Sequence, residues 1–378
     1  MLVKGIMKLQ NTKLMKVAIF HDYVDVIGGA EKLVLTLARE LRADIITTDV
    51  NKESLKKMGF EDVNIISIGK TIRKPILRQI TTSFKFANCD FSDDYDFFIF
   101  SGNWAPFAAK KHKPNIFYCH SPVRPFYDLY DSIFHESIFK RFIFVIWVKF
   151  QKRFYEHYLN HVQYIVSNSE NTKARIKKFL KRNSYVIYPP INCSNYNFQK
   201  PENFWISVNR IYPEKRIELQ IESFKTLPEE KLVIVGSYSR SDYFSKYANK
   251  IKNNLPKNIE LLETVSEEKL LELYSSSKGL ISTAKDEDFG MVAVEAMASG
   301  KPVVCVKEGG FLESVIDNIT GILVEPNISD ITKAIQIISK NPEKYKEACI
   351  EQAKKFDETI FLEAMKKIIH KVSSFKNN

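Results

Sequence analysis

One feature constrains this chain more than any other. Short apolar runs alternate with segments of helical spacing, the alternation breaks once, and then it begins again. Residues 16–21, 43–48, 97–101, 115–120, 164–167 and 185–188 are short apolar runs. Between them, 30–41 places Leu33, Val34, Leu37, Ala38 and Leu41 at the three- and four-residue spacing of a helix, and 170–180 reads as a basic helix. Unbroken apolar runs are what strands look like when helices cover both faces of a sheet, so this half predicts a parallel α/β layer. Tyr188-Pro189-Pro190-Ile191-Asn192 interrupts the pattern, and polar sequence continues to Asn203. Strands are then expected at 204–209, 231–236, 259–262, 279–282, 302–306 and 321–324. Helices are expected at 217–224, 266–275, 331–339, 342–356 and 359–372. A length of 378 residues suits two cores rather than one. The expected organisation is an N-terminal extension over 1–15, a first domain over 16–190, a linker over 191–203, a second domain over 204–356 and a terminal segment over 357–378. The expected fold class is α/β, with two Rossmann-like, doubly wound domains facing a central cleft. Ligands of such sheets bind outside the carboxyl ends of the strands.

The stretch Lys285-Asp286-Glu287-Asp288-Phe289-Gly290-Met291-Val292-Ala293-Val294-Glu295 carries the most chemical information. It reads as a loop delivering one carboxylate and a helix carrying another, closed by Gly300 and Pro302. The first amides of a helix lack partners of their own and attract anions. Two carboxylates beside such amides suit a ligand with both phosphates and hydroxyls, as a nucleotide sugar has. Eight residues at ~100° each leave the two acids about 80° apart on a helix, so they do not stack as a pair. Arg210 and Lys215 follow the first strand of the second half, where two cations can neutralise a departing diphosphate, or form a solvated basic turn. Gly28 and Gly29 lie between the first strand and first helix, allowing close backbone approach or merely a turn. His120 ends a strand. Asp94 with Asp96, and Asp286 with Asp288, have metal-ligand spacing, but no clustered histidines accompany them, and no metal is expected.

Composition narrows the setting. Apolar content of 44% with 12% aromatics marks a globular chain. The five cysteines are scattered without zinc or redox spacing, as expected of reduced cytoplasmic thiols. No spanning apolar run and no leader peptide is expected. Of the net charge of +11, residues 138–183 carry eleven Lys or Arg against Glu156 and Glu170. The same segment holds Phe142-Ile143-Phe144-Val145-Ile146-Trp147-Val148, flanked by Lys140, Arg141, Lys149, Lys152 and Arg153. A helix of this kind can lie in an anionic membrane interface, which predicts peripheral contact on the cytoplasmic face, or it can be a core helix with a basic end. Nucleic acid is not expected as a partner, since no binding motif accompanies the charge.

Taken together these motifs resemble the retaining glycosyltransferases of family GT4, over nearly the whole chain. The resemblance rests on Glu287 and Glu295 with Phe289-Gly290, on Ala296-Met297-Ala298-Ser299-Gly300-Lys301-Pro302-Val303, and on Gly309-Gly310 with Glu313. Arg210 with Lys215, Asn168-Ser169, Tyr188-Pro189-Pro190 and Gly28-Gly29-Ala30-Glu31 add to it. Tyr118-Cys119-His120-Ser121-Pro122-Val123-Arg124 resembles the branch using GDP-mannose. The resemblance implies the GT-B fold, with the terminal helix returning to the first domain, and a hexosyltransferase activity without cofactor or metal. The implied donor is a nucleotide sugar, GDP-mannose favoured over a UDP-sugar, and the implied acceptor a lipid-linked or oligosaccharide glycan. It further implies that Glu295 holds the ribose, Glu287 meets the sugar, and the amides of Phe289, Gly290 and Met291 meet sugar and phosphate. Arg210 and Lys215 would take up diphosphate charge, His120 would touch the sugar from the other domain, and Gly29 would approach phosphates or acceptor. The chain departs from the family in having Asn209 where glycine is common, and Thr283-Ala284 where a proline often stands. An epimerase or phosphorylase of the same architecture, or a silent glycan-binding subunit, are the alternatives.

Overall fold

The computed structural model describes residues 15–25, 28–74, 76–128, 138–237, 245–263 and 265–374. The extension expected over 1–15 lies, but for Met15, outside the described residues. Among the described residues there are two sheets. The first contains β1 (Val17–His21), β2 (Asp44–Thr47), β3 (Ile65–Ser67), β4 (Phe97–Ser101), β5 (Asn115–Cys119), β6 (Tyr164–Ser167) and β7 (Tyr185–Val186), in the order β3-β2-β1-β4-β5-β6-β7. The second contains β8 (Trp205–Arg210), β9 (Leu232–Ser237), β10 (Ile259–Leu262), β11 (Leu280–Ser282), β12 (Val303–Val306) and β13 (Gly321–Val324), in the order β10-β9-β8-β11-β12-β13. The described pairings are parallel. In each sheet the chain winds outward, then returns to the other side of its first strand. The resulting switch points, β1 beside β4 and β8 beside β11, are where such sheets bind ligands.

The apolar runs explain themselves. β1, β4 and β5 are buried along their whole length, as is β12. The core of the second sheet gathers Trp205, Phe224, Ile281, Val304 and Ile335. Each such side chain contributes about 1.5–3 kcal/mol on burial.

The chain forms two compact units, one from described residues within Met1–Tyr118, Leu129–Tyr164 and Ile369–Asn378, the other from Cys119–Asp128 and Ile165–Ile368. In the first unit, the buried carboxylate of Asp22 accepts the amides of Asn103, Trp104 and Ala105 at 2.7, 2.8 and 2.8 Å. This ties the end of β1 to the turn after β4. The helix Gly29–Leu41 begins with the Glu31 carboxylate accepting the Gly28 amide at 2.8 Å.

Several elements differ from expectation. Helices Lys52–Lys57, Leu77–Asn88 and Ser245–Lys252 and strand β3 were not anticipated. The helix expected over 342–356 is a 3-10 turn, Pro342–Tyr345, followed by Lys346–Lys354, because Pro342 suits the opening of a turn rather than a helix interior. The basic helix after β6 is α-helical over Glu170–Arg175 and widens to a π turn over Ile176–Leu180.

The aromatic segment lies in a helix, Ile138–Leu159. Trp147, Val148, Tyr155 and Leu159 are buried, whereas Phe142, Phe150 and Phe154 are 63%, 61% and 55% exposed. The side chains of Lys140 and Arg141 lie outside the described residues. Among the described residues, no helix is long and apolar enough to cross a membrane.

Candidate active site

Lys215 and Glu287 are 72 residues apart in sequence and meet in the second unit, with Nζ 2.5 Å from Oε2. Backbone bonding forces the meeting. After β8 the chain makes a 3-10 turn, Pro213–Lys215, and Arg216 adopts φ 49° to start the helix Ile217–Lys225. After β11, the buried Thr283 donates to the carbonyls of Lys215 and Arg216 at 2.8 and 3.0 Å, and accepts from Gln220 Nε2 at 2.9 Å. The Lys285 amide donates to the Glu214 carbonyl at 2.7 Å. Thus Thr283 fastens the acidic loop to the basic turn. Both lie at the carboxyl ends of β8 and β11, beside the switch point.

Beyond Glu287 the loop enters the helix Met291–Ala298 through Gly290 at φ 86°. A methyl group there would lie 2.5 Å from the Phe311 ring, so glycine is required by backbone and by space. Gly290 has no side chain with which to cap the helix, leaving its first turn without a side-chain acceptor. Phe289 is buried against Tyr188 and Phe356, with ring centroids 5.3 and 5.1 Å away. This anchors the loop and uses the Tyr188-Pro189 break as part of the second core. One turn on, Glu295 accepts a bond from the Tyr274 hydroxyl at 2.7 Å. Tyr274 is wholly buried, and burial together with Glu295 pushes its pKa well up. The phenol therefore stays a donor and aims the carboxylate. Tyr274→Phe is expected to weaken nucleoside diphosphate binding about tenfold or more, since a hydrogen bond to a charged group is worth about 1.5–3 kcal/mol. Titration calorimetry measures this, and unchanged affinity would show that Glu295 needs no such guide.

The two aspartates beside Glu287 face elsewhere. Arg175, which is 6% exposed, donates to the Asp286 carbonyl and to Asp288 Oδ1, and its Nη2 lies 2.9 Å from Asp286 Oδ2. Arg124 Nη2 stands 3.6 Å from the same Asp286 oxygen. The Asp-x-Asp spacing thus serves arginines, and among the described residues no cluster of three or more His, Cys, Asp or Glu is arranged for a metal. Asn171 Nδ2 donates to the Glu287 carbonyl at 2.9 Å, and Ser169 Oγ to the Asp288 carbonyl at 2.6 Å. Glu313 accepts the amides of Glu170 and Asn171, both at 2.7 Å, capping the helix that carries Asn171 and Arg175. Gly310 packs on the loop from below, and its amide donates to the Glu287 carbonyl at 2.8 Å. Arg175, Asn171 and Tyr274 were not singled out from sequence, and Thr283 was noted only as a departure from the resembled family. Their contacts lie 21 to 142 residues away in the chain and have no local signature.

The remaining candidates take these places. Arg210 is the exposed last residue of β8. Asn209 before it turns back, donating to Ser207 Oγ at 2.6 Å. His120 follows β5, and its carbonyl accepts from Thr172 Oγ1 at 3.3 Å, on the helix that reaches the acidic loop. Gly29 opens the helix Gly29–Leu41 in the first unit. The Lys16 amide donates to Asp96 Oδ2 at 2.9 Å.

Two family models match, nearly end to end: Glycosyltransferase Family 4 over residues 27–195 and Glycosyl transferases group 1 over 192–356. An uncharacterised glycosyltransferase of Methanocaldococcus jannaschii is 30% identical over 205 residues, 54% of this chain and 57% of that one. The match therefore spans little more than half of that relative. An alpha-1,3/1,6-mannosyltransferase of Candida glabrata is 27% identical over 417 aligned positions, covering 88% of each chain. Among solved structures, Anabaena HepE in complex with UDP superposes with a TM-score of 0.71 at 19% identity, covering 94% of this chain and 100% of that one.

Proposed function

The chain belongs to glycosyltransferase family 4 and has the GT-B fold, and from that premise we propose that it transfers a hexose, with mannose favoured, from a nucleoside diphosphate sugar to a lipid-linked or oligosaccharide acceptor. The observation that carries the proposal is the Lys215–Glu287 pair beside the start of the Met291–Ala298 helix. In transfer, the bond between the anomeric carbon and the diphosphate oxygen breaks, and a bond to the acceptor oxygen forms. The acceptor proton leaves with the diphosphate. Negative charge grows on the leaving oxygen, where preorganised cations and amides contribute most. Lys215, Arg210 and the amides of Phe289, Gly290 and Met291 suit that task. Glu287 suits the sugar hydroxyls, Glu295 the ribose, His120 the sugar from the other side, and Gly29 the acceptor or phosphates. Entry of the acceptor on the face the diphosphate leaves gives retention of anomeric configuration, with no covalent intermediate or metal required.

The mannosyltransferase name of the Candida relative supports mannose as the sugar, and GDP is the nucleotide favoured with it. A thermal-shift comparison of GDP, UDP and ADP tests this. A ligand at 100 times its dissociation constant adds about 2.7 kcal/mol. GDP is expected to raise the melting temperature more than the others, with GDP released from GDP-mannose only when acceptor is present. Stabilisation by UDP instead would replace the donor, and donor interconversion without acceptor would favour an epimerase.

The acceptor's lipid is supported by the first unit. Its exposed large hydrophobic residues among those described are Ile72, Leu77, Ile80 and Phe84 on one segment, and Phe142, Ile143, Ile146, Phe150 and Phe154 on another. The two helices touch where Gln151 Nε2 donates to Ser83 Oγ at 2.7 Å. Lys149 and Arg153 on the same helix are exposed. Removing the charges of Lys140, Arg141, Lys149, Lys152 and Arg153 is expected to abolish most sedimentation with phosphatidylserine vesicles, at about 1 kcal/mol per residue. Retained sedimentation would refute membrane contact through this helix.

A further inference from the structure

We propose that Arg175 is a positioning residue for sugar transfer: by holding Asp286 and Asp288 at once, it sets the direction in which Glu287, between them, presents its carboxylate. The inference rests on the reading that Glu287 meets the donor sugar. Three consecutive carboxylates in one loop repel one another and, left alone, would have no fixed arrangement. Here they are sorted. Asp286 and Asp288 turn to the guanidinium of Arg175, and Glu287 turns to Lys215.

Arg175 is suited to this by shape. One nitrogen, Nη1, donates to Asp288 Oδ1 and to Ser121 Oγ at 3.3 Å, and the other, Nη2, serves Asp286. A planar fork can hold two carboxylates in fixed directions, whereas an ammonium is a single point of charge. The loop backbone is held as tightly. The Asp286 carbonyl accepts from Arg175 and Arg124, that of Glu287 from Asn171 and Gly310, and that of Asp288 from Ser169. Asp286 meanwhile sits at φ 48°, a left-handed conformation that a non-glycine residue adopts at a price in strain and that these bonds offset. At 6% exposure Arg175 itself is withdrawn from solvent, so it acts through Glu287 rather than on the sugar.

The test compares wild type, Arg175→Lys and Asp288→Asn in the full chain. Each is measured for melting temperature, hydrogen exchange of peptides covering residues 284–291, GDP affinity, and kcat and KM with donor and acceptor. Expected are melting within a few degrees of wild type, faster exchange in 284–291, a roughly tenfold lower kcat, and GDP affinity within twofold. Exchange and kcat equal to wild type in Arg175→Lys would overturn the inference. A loss of GDP affinity as large as the loss of kcat would also overturn it, since that marks general damage. If the wild type transfers no sugar, the functional reading falls instead, and the exchange rates still decide whether Arg175 orders the loop.

Discussion

Replacing Lys215 by alanine is expected to lower turnover at least about tenfold, which is roughly 1.4 kcal/mol of barrier. Two effects act in the same direction. The cation paired with Glu287 is lost, and Glu287, 23% exposed, is left without the ammonium 2.5 Å from it. An uncompensated carboxylate then faces the place where diphosphate charge grows. Partial burial makes each effect larger than on an open surface. A double-mutant cycle separates them. If Lys215 serves only to restrain Glu287, then Lys215→Ala adds nothing to Glu287→Ala. If it also stabilises the leaving group, the double variant is slower than either. Unchanged turnover in Lys215→Ala alone would remove Lys215 from the mechanism.

Gly310→Ala is expected to be more damaging, by about a hundredfold in kcat, because a misplacement near 1 Å at a reacting centre costs on that order. A methyl group at Gly310 would overlap Phe289 Cα and lie 2.6 Å from the Asp288 carbonyl oxygen. The obstacle is backbone, which cannot swing aside as a side chain can. Gly310 has φ −67°, so alanine meets no conformational penalty there, and the whole effect is steric. The stability loss from such overpacking is typically about 1–3 kcal/mol. Steady-state kinetics beside a melting curve would show the split. Turnover at the wild-type level would mean that the loop yields without harm.

The sheets were legible because their strands are buried on both faces, so 97–101 and 115–119 read as unbroken apolar runs. The same logic hid Leu77–Asn88. Its buried residues are Thr82, Ser83 and Phe86, while Leu77, Ile80 and Phe84 face outward. Hydrophobic periodicity therefore points the wrong way, and the helix was missed. At the site, the glutamates, the basic turn and the glycines announce themselves through type and spacing. Their orientation does not, since it comes from Thr283, Tyr274, Asn171 and Arg175, residues with no unusual local context. Arg175 was counted only as one charge in a basic segment. The fold shows that its charge is taken up by Asp286 and Asp288, and so is not available to a lipid surface.

The splaying of Asp286, Glu287 and Asp288 gives their loop a parity. Neighbouring carboxylates leave on opposite sides, so which acid meets Lys215 depends on the count of residues from the end of β11 to Gly290. Exchanging one acid for its amide weakens the hold on the loop but keeps the order of the three side chains. Inserting or deleting a single residue would instead invert the assignment, offering an aspartate to the lysine and the glutamate to the arginine. Length in this loop is accordingly a stricter requirement than composition.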